Sequence, residues 1–113
     1  MGKIRAMTEA LVILCTCPDE ATASRLAGDL VEENLAACVN ILPGIRSIYR
    51  WQDELQMDDE VLMLVKTSRD AYPQLERWLL DNHPYDVPEV LALPVETGAA
   101  NYLAWVGGES SGR

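Results

Sequence analysis

The sequence has few positive charges, few cysteines and no long hydrophobic run. Lys and Arg together number 9 against 18 Asp and Glu, which gives a formal net charge of -9. A surface of that sign repels phosphate groups, so we expect neither a nucleic-acid partner nor docking on an anionic membrane. The charge is compatible with small molecules, cations or proteins as partners.

Signals for membrane insertion or export are also missing. No apolar run approaches the ~20 residues that a membrane span needs. The apolar residues 10–15 are too few for a span or a signal peptide. Three cysteines without dense spacing do not form a disulfide framework and fit a reducing compartment. We therefore expect a cytoplasmic protein.

The length and composition are those of one globular domain. The chain has 113 residues, of which 49 % are hydrophobic and 24 % are charged, an ordinary balance for a folded domain. No linker, repeat or low-complexity stretch divides it. We place the domain at residues 10–106 and expect residues 1–9 and 107–113 to fray.

Hydrophobic periodicity predicts alternating strands and helices. Apolar, β-branched runs predict strands, and apolar positions at helical spacing predict helices. Predicted strands cover residues 10–17, 36–51, 55–67 and 89–95, and predicted helices run from Asp19 to near Asn34, from Ser68 to before His83, and over 101–106. The order strand, helix, strand, strand, helix, strand is the ferredoxin-like split βαβ pattern (βαββαβ) of the α+β class. The long hairpin of strands two and three and the short C-terminal helix are additions to it.

Three predicted strands are apolar on both sides. Residues 10–15, 61–65 and 90–95 lack the alternation that a sheet with one solvated face shows. The two long helices cover one face only, so another copy of the chain is the economical cover for the second face. The pattern therefore predicts a homo-oligomer. The alternative is that these positions are incidental apolar residues on the surface of short strands.

The predicted topology brings two cysteines close to the only histidine. Cys15 and Cys17 lie two residues apart on one strand, so their side chains share a face. The split βαβ order places that strand between the third and fourth, which brings its carboxyl end beside His83. Thiolate and imidazole together suit copper or zinc, and thiolate favours Cu(I).

Two other interpretations of these residues stay open. Free cysteines are most often small apolar residues of the core. A thiol nucleophile activated by His83 is the second alternative, although no Gly-rich oxyanion loop precedes the cysteines. The chain also lacks a phosphate-binding loop, a dinucleotide fingerprint and a zinc-protease motif. We expect a protein that is not an enzyme.

Six short motifs occur together between residues 10 and 106. They are Leu-Cys-Thr-Cys-Pro-Asp-Glu-Ala-Thr-Ala from Leu14, Leu-Ala-Ala-Cys-Val-Asn from Leu35, Ser-Ile-Tyr-Arg-Trp from Ser47, the strand from Glu60 through Lys66 and Thr67, His-Pro-Tyr-Asp-Val-Pro-Glu from His83, and Tyr-Leu-Ala-Trp from Tyr102. In this combination the chain resembles the CutA divalent-cation tolerance proteins.

The resemblance implies a ferredoxin-like subunit in a homotrimer that binds copper or other divalent or soft metal ions. It implies Cys15 and His83 as the metal ligands and a role in the response to metal ions. Two positions depart from the family pattern. Asn82 stands where related sequences can carry a second histidine, and Asp53 stands where a glycine is common in the hairpin turn.

The alternative function is a signalling module. Trimeric ferredoxin-like proteins of the PII type sense small molecules in clefts between subunits, and Trp51, Tyr85 and Trp105 could line such a cleft here. This alternative rests on an analogy between folds.

Overall fold

A computed structural model describes residues 8–112 as a four-stranded antiparallel sheet with three helices. The elements are β1 (Ala10–Cys17), α1 (Glu20–Glu32), β2 (Cys38–Trp51), β3 (Glu54–Ser68), α2 (Tyr72–Asn82), β4 (Leu91–Pro94) and α3 (Ala100–Glu109). The strand order is β2-β3-β1-β4, with antiparallel neighbours throughout. The predicted ferredoxin-like α+β fold is therefore confirmed. No helix within residues 8–112 is long and apolar enough to cross a membrane.

The first helix begins where the sequence predicts. The Asp19 side chain accepts a hydrogen bond from the backbone N–H of Thr22 at 2.7 Å, which satisfies a donor that the first helical turn leaves unpaired. Ala23, Leu26 and Leu30 recur along one side of α1 and are buried. They pack the helix against the sheet, as their spacing predicts.

The second helix is limited by proline at both ends. Ser68 Oγ accepts from the Ala71 N–H at 3.1 Å and tightens the turn before α2. Pro73 lies in the first turn of α2, where its missing N–H removes no helical hydrogen bond. The helix ends before His83, because Pro84 disfavours helical geometry in the residue that precedes it.

The long hairpin of β2 and β3 contains one irregularity and one tight turn. The pairing register shifts at Pro43-Gly44, where Gly44 has a φ of 82°. The two-residue connection consists of Gln52 and Asp53, whose φ angles are 52° and 66°. Positive φ at both central residues is the geometry of a type I′ turn, which favours glycine at the second position.

The Asp53→Gly variant is expected to raise the free energy of unfolding by about 0.5–1 kcal/mol, because glycine adopts positive φ without a steric penalty. Urea unfolding monitored by circular dichroism measures the change. The control is Glu54→Gly at the next residue, which lies in extended β3 and should be destabilising. Equal effects of the two substitutions would contradict the turn geometry.

The main core lies between α1, α2 and one face of the sheet. Alternate residues of β1 and β3 point to the helices, because side chains alternate along a strand. The buried strand residues of this core are Leu11, Ile13, Cys15, Cys17, Val61, Met63 and Val65. Leu26 and Leu30 of α1 and Leu75 and Leu79 of α2 complete it.

The opposite face of the sheet is apolar and only partly covered. The register places one set of side chains together on it, namely Val12, Leu14, Leu62, Leu64, Leu91 and Leu93. Leu91 is 54 % exposed and Leu93 is 46 % exposed. We call these six residues the open face. Its composition agrees with the apolar strands in the sequence.

The C-terminal helix covers one end of this side of the sheet, which the sequence analysis did not expect. Val106 of α3 is buried against Ala10 and Ala37, with Val95 and Leu103 packed around them. The helix therefore shelters the start of β1 and leaves the open face beyond it.

Three predicted boundaries differ clearly from the structure. Helix α2 begins at Tyr72 instead of directly after Ser68, and its N-cap residue is Ala71. The last strand covers Leu91–Pro94 instead of 89–95, because β1 pairs with β4 only from Leu11 to Leu14. Helix α3 runs to Glu109 instead of ending at residue 106.

Residues 107–112, where we expected the chain to fray, make hydrogen bonds to the rest of the domain. The Ser110 carbonyl accepts from Ser68 Oγ at 2.5 Å, and the Gly112 N–H donates to the Asn34 carbonyl at 2.9 Å. These contacts stabilise the end of the chain, although its glycines have a low helix propensity. Residues 1–7 and 113, which we also expected to fray, lie outside the described residues.

Candidate metal site

The structure brings Cys15, Cys17 and His83 into one buried cluster. Each residue offers one ligand atom, and these atoms lie within 4.8 Å of one another. Both thiols are fully buried, and His83 is 7 % exposed. The sequence topology had placed the two cysteines near His83, and the structure agrees.

Two elements position the cluster. Cys15 and Cys17 point from the carboxyl end of β1 into the main core, opposite Met63 and Val61 of β3. His83 is the first residue after α2, and its backbone N–H donates to the Leu79 carbonyl at 2.9 Å. The packing of α2 on the sheet thus fixes the histidine beside the end of β1.

Both ring nitrogens of His83 contact the backbone. Nε2 lies 2.8 Å from the Thr16 carbonyl oxygen, and Nδ1 accepts from the Tyr85 N–H at 3.1 Å. Only the neutral tautomer with its proton on Nε2 satisfies both contacts. The backbone therefore sets the orientation of the ring.

Tyr85 and Glu60 extend this arrangement. The rings of Tyr85 and His83 lie 4.8 Å apart between centroids, and the Tyr85 hydroxyl donates to Glu60 Oε2 at 2.6 Å. Burial and this hydrogen bond raise the pKa of Tyr85, so the hydroxyl remains protonated. Sequence reasoning did not identify the Tyr85–Glu60 pair. The signal in the sequence was the predicted topology, which places the start of the third strand, with Glu60, at the same end of the sheet as Tyr85.

The two thiols interact with each other. Their mutual hydrogen bond and burial raise the pKa of Cys15, which keeps this thiol protonated at neutral pH. The same hydrogen bond lowers the pKa of Cys17. Since both nitrogens of His83 contact backbone groups, the ring would have to give up one of these contacts before it could accept a proton from either thiol. The nucleophile interpretation is therefore not favoured by the geometry.

A cavity of about 600 Å³ opens beside the cluster. Four acidic residues, Arg46 and Val61, the strand partner of Cys17, are among the residues that line it. The acidic residues are Asp19, Glu20, Asp59 and Glu60. The acidic end of β3 therefore lies at the same end of the sheet as the cluster, as the predicted topology requires.

The three aromatic residues of the signalling alternative lie on separate elements. Trp51 is at the tip of the hairpin, Tyr85 is in the loop after α2, and Trp105 is in α3. Trp51 and Trp105 are each 45 % exposed. None of the three lines the cavity described above.

Comparison with known proteins identifies relatives over nearly the whole chain. Residues 11–109 match the family model for the CutA1 divalent ion tolerance protein. A divalent-cation tolerance protein CutA from Pectobacterium atrosepticum is 49 % identical over 102 residues, which cover 90 % of this chain and 93 % of the relative.

Solved structures agree with this match. A divalent cation tolerance protein (Cut A1) from Thermus thermophilus is 50 % identical, with a TM-score of 0.87, over 89 % of this chain and 98 % of that one. A CutA from Archaeoglobus fulgidus that is described as a periplasmic divalent cation tolerance protein is 33 % identical, with a TM-score of 0.86, over 89 % and 98 % of the two chains. This chain therefore belongs to the family of CutA1 divalent ion tolerance proteins.

Proposed function

We propose that this protein binds copper or other soft or divalent metal ions at Cys15, Cys17 and His83, and acts in metal tolerance without catalysing a reaction. The supporting observation is the cluster itself, in which three buried ligand atoms lie within 4.8 Å of one another. The names of the relatives, all divalent-cation tolerance proteins, support the class of ligand.

The chemistry of the donors favours copper over zinc. Two sulfur atoms and one imidazole nitrogen form a soft ligand set, which suits Cu(I) better than hard cations. Structural zinc sites usually have four protein ligands. Within residues 8–112, no fourth Cys, His, Asp or Glu joins the cluster.

The hydrogen bonds of His83 fit one mode of ligation. Histidines that bind metals usually donate their other N–H to a carboxylate or a backbone carbonyl. The Nε2 proton already faces the Thr16 carbonyl, so Nδ1 is the nitrogen available for a metal ion. Ligation would replace the contact of Nδ1 with the Tyr85 N–H and would keep the hydrogen bond to Thr16.

A double variant, Cys15→Ala with His83→Ala, tests the assignment. It should lose Cu(I) affinity by more than about 100-fold, since removal of direct ligands exceeds the effect known for outer-shell partners. Competition against a chromogenic Cu(I) chelator under anaerobic conditions measures the affinity, and circular dichroism verifies the fold. The matched control is Cys38→Ala, which removes a half-buried thiol outside the cluster. Unchanged binding in the double variant would refute the assignment.

We further propose that the subunit assembles as a homotrimer. Half-exposed leucines of β4 and the adjoining apolar residues of β1 and β3 form the open face, which α1, α2 and α3 leave uncovered. Large apolar patches of this kind mark interfaces in soluble proteins. Three copies would also combine their negative charge, which would concentrate cations near the surface.

The cytoplasm is the proposed compartment, because the three cysteines are free thiols and free thiols fit a reducing environment. The A. fulgidus relative is described as periplasmic, so the compartment differs between that protein and this proposal. The signalling alternative is not favoured, since the family model and the relatives are those of cation tolerance proteins.

A further inference from the structure

The cluster contains a dithiol in addition to an imidazole. Cys15 and Cys17 are both fully buried, share one face of β1, and have sulfur atoms that lie within 4.8 Å of each other. The third thiol, Cys38, lies on β2 opposite Lys66 and outside the cluster. A pair of adjacent thiols can supply two electrons when it forms a disulfide.

We propose that the Cys15–Cys17 dithiol reduces Cu(II) to Cu(I) and is itself oxidised to a disulfide. This inference rests on the proposed function, because a copper ion must first reach the cluster. Two S–H bonds break, one S–S bond forms, and two protons leave to solvent. Each of two Cu(II) ions accepts one electron, so charge and atoms balance.

For the two sulfur atoms to bond, the end of β1 has to twist away from regular strand geometry. Alternate residues of a strand lie about 6.6–6.8 Å apart at Cα, the upper end of the roughly 4.4–6.8 Å that disulfides span. Strand β4 pairs with β1 only from Leu11 to Leu14. Cys15 and Cys17 are therefore paired on one side only, with β3, and the strand can twist there. A strained disulfide of this kind is readily reduced, so a low-molecular-weight thiol would regenerate the dithiol.

A metal oxidant suits this dithiol better than peroxide. Oxidation by peroxide follows exposure and thiolate character, whereas both thiols here are fully buried. A Cu(II) ion that enters the cluster displaces the thiol protons itself and takes electrons through its bonds to sulfur. His83 holds the ion and does not supply electrons, so its removal should weaken copper binding.

The test is anaerobic addition of Cu(II) to the fully reduced full-length chain, with a Cu(I)-specific chromogenic chelator present. The expected yield is about two Cu(I) ions per chain, with two of the three thiols lost. Mass spectrometry should find the loss of two hydrogen atoms in the peptide that holds Cys15 and Cys17. Cys17→Ser and Cys15→Ser should each slow Cu(I) formation at least about tenfold, since a lone thiol lacks its intramolecular partner. The control Cys38→Ser should behave as the wild type.

Direct Cu(I) binding to the reduced chain separates this inference from the proposed function. If Cu(I) binds but added Cu(II) yields no Cu(I) and all thiols persist, the redox step is refuted and the metal site stands. If Cys38→Ser abolishes Cu(I) formation, the electrons come from Cys38 thiols that form disulfides between chains. That outcome would also refute the step. If Cu(II) is reduced with loss of both cluster thiols but Cu(I) does not bind, the ligand assignment fails and the dithiol chemistry stands.

Discussion

Leu79→Ala is expected to lower the free energy of unfolding by about 2–5 kcal/mol, the range for deleting a large buried aliphatic side chain. Leu79 is fully buried and belongs to the main core. Its truncation leaves a cavity under α2, which the strands cannot fill because they are held in a continuous ladder. The loss reflects both the lower apolar burial and the remaining void.

The adjacent residue supplies a matched control. Leu80 follows Leu79 on α2 and is 54 % exposed, so Leu80→Ala has the same helix propensity change without the cavity. Its expected effect is within about 0.5 kcal/mol. Urea unfolding of both variants at one protein concentration measures the difference, because assembly makes apparent stability depend on concentration. Equal losses in the two variants would contradict the assignment of Leu79 to the core.

The Leu79→Ala variant also probes the link between core packing and the cluster. The Leu79 carbonyl accepts the N–H of His83, so the end of α2 positions the ring. Looser packing of α2 should lower Cu(I) affinity without removal of a ligand, because precise ligand placement needs a rigid support. This effect is expected to be smaller than that of Cys15→Ala with His83→Ala.

The topology and the main contact of the site could be predicted from the sequence. Apolar runs separated by helical patterns predict the order of the strands and helices. The split βαβ arrangement then places the first strand in the sheet between the third and the fourth. With β1 between β3 and β4, Cys15 and His83 must lie at the same end of the sheet. The prediction succeeded because it depended on element order and strand direction.

Contacts that depend on local backbone geometry could not be predicted. The proton position on His83 follows from the directions of the Thr16 carbonyl and the Tyr85 N–H, which no side-chain pattern encodes. The extension of α3 through Gly107 and Gly108 likewise depends on the burial of Ser110. In both cases tertiary contacts determine the result, and for α3 they outweigh the low helix propensity of the two glycines.

The two faces of β1 serve different proposed roles, metal binding on one face and assembly on the other. Cys15 and Cys17 point into the core and form the cluster, whereas Val12 and Leu14 point to the open face. Because side chains alternate along a strand, a change on one face leaves the side chains of the other face in place. Assembly and metal binding can therefore be tested with independent variants.

Leu91→Glu with Leu93→Glu should weaken trimer formation by about 100-fold or more, because carboxylates would be buried without partners in the interface. The register places these two side chains beside Leu14 and Val12, on the edge strand of the open face. Sedimentation velocity at micromolar concentration should give about three times the chain mass for the wild type and a species near 12.5 kDa for the variant.

The control for this last variant is Leu80→Glu, on the outer side of α2. Leu80 and Leu91 are equally exposed in the single chain, at 54 %, so the two substitutions differ in location and not in exposure. Leu80→Glu should leave the assembly intact, since the interface is expected on the sheet and not on the helices. A wild type that sediments as a single chain, or a Leu91→Glu, Leu93→Glu variant that stays assembled, would contradict the proposal that the open face joins the subunits.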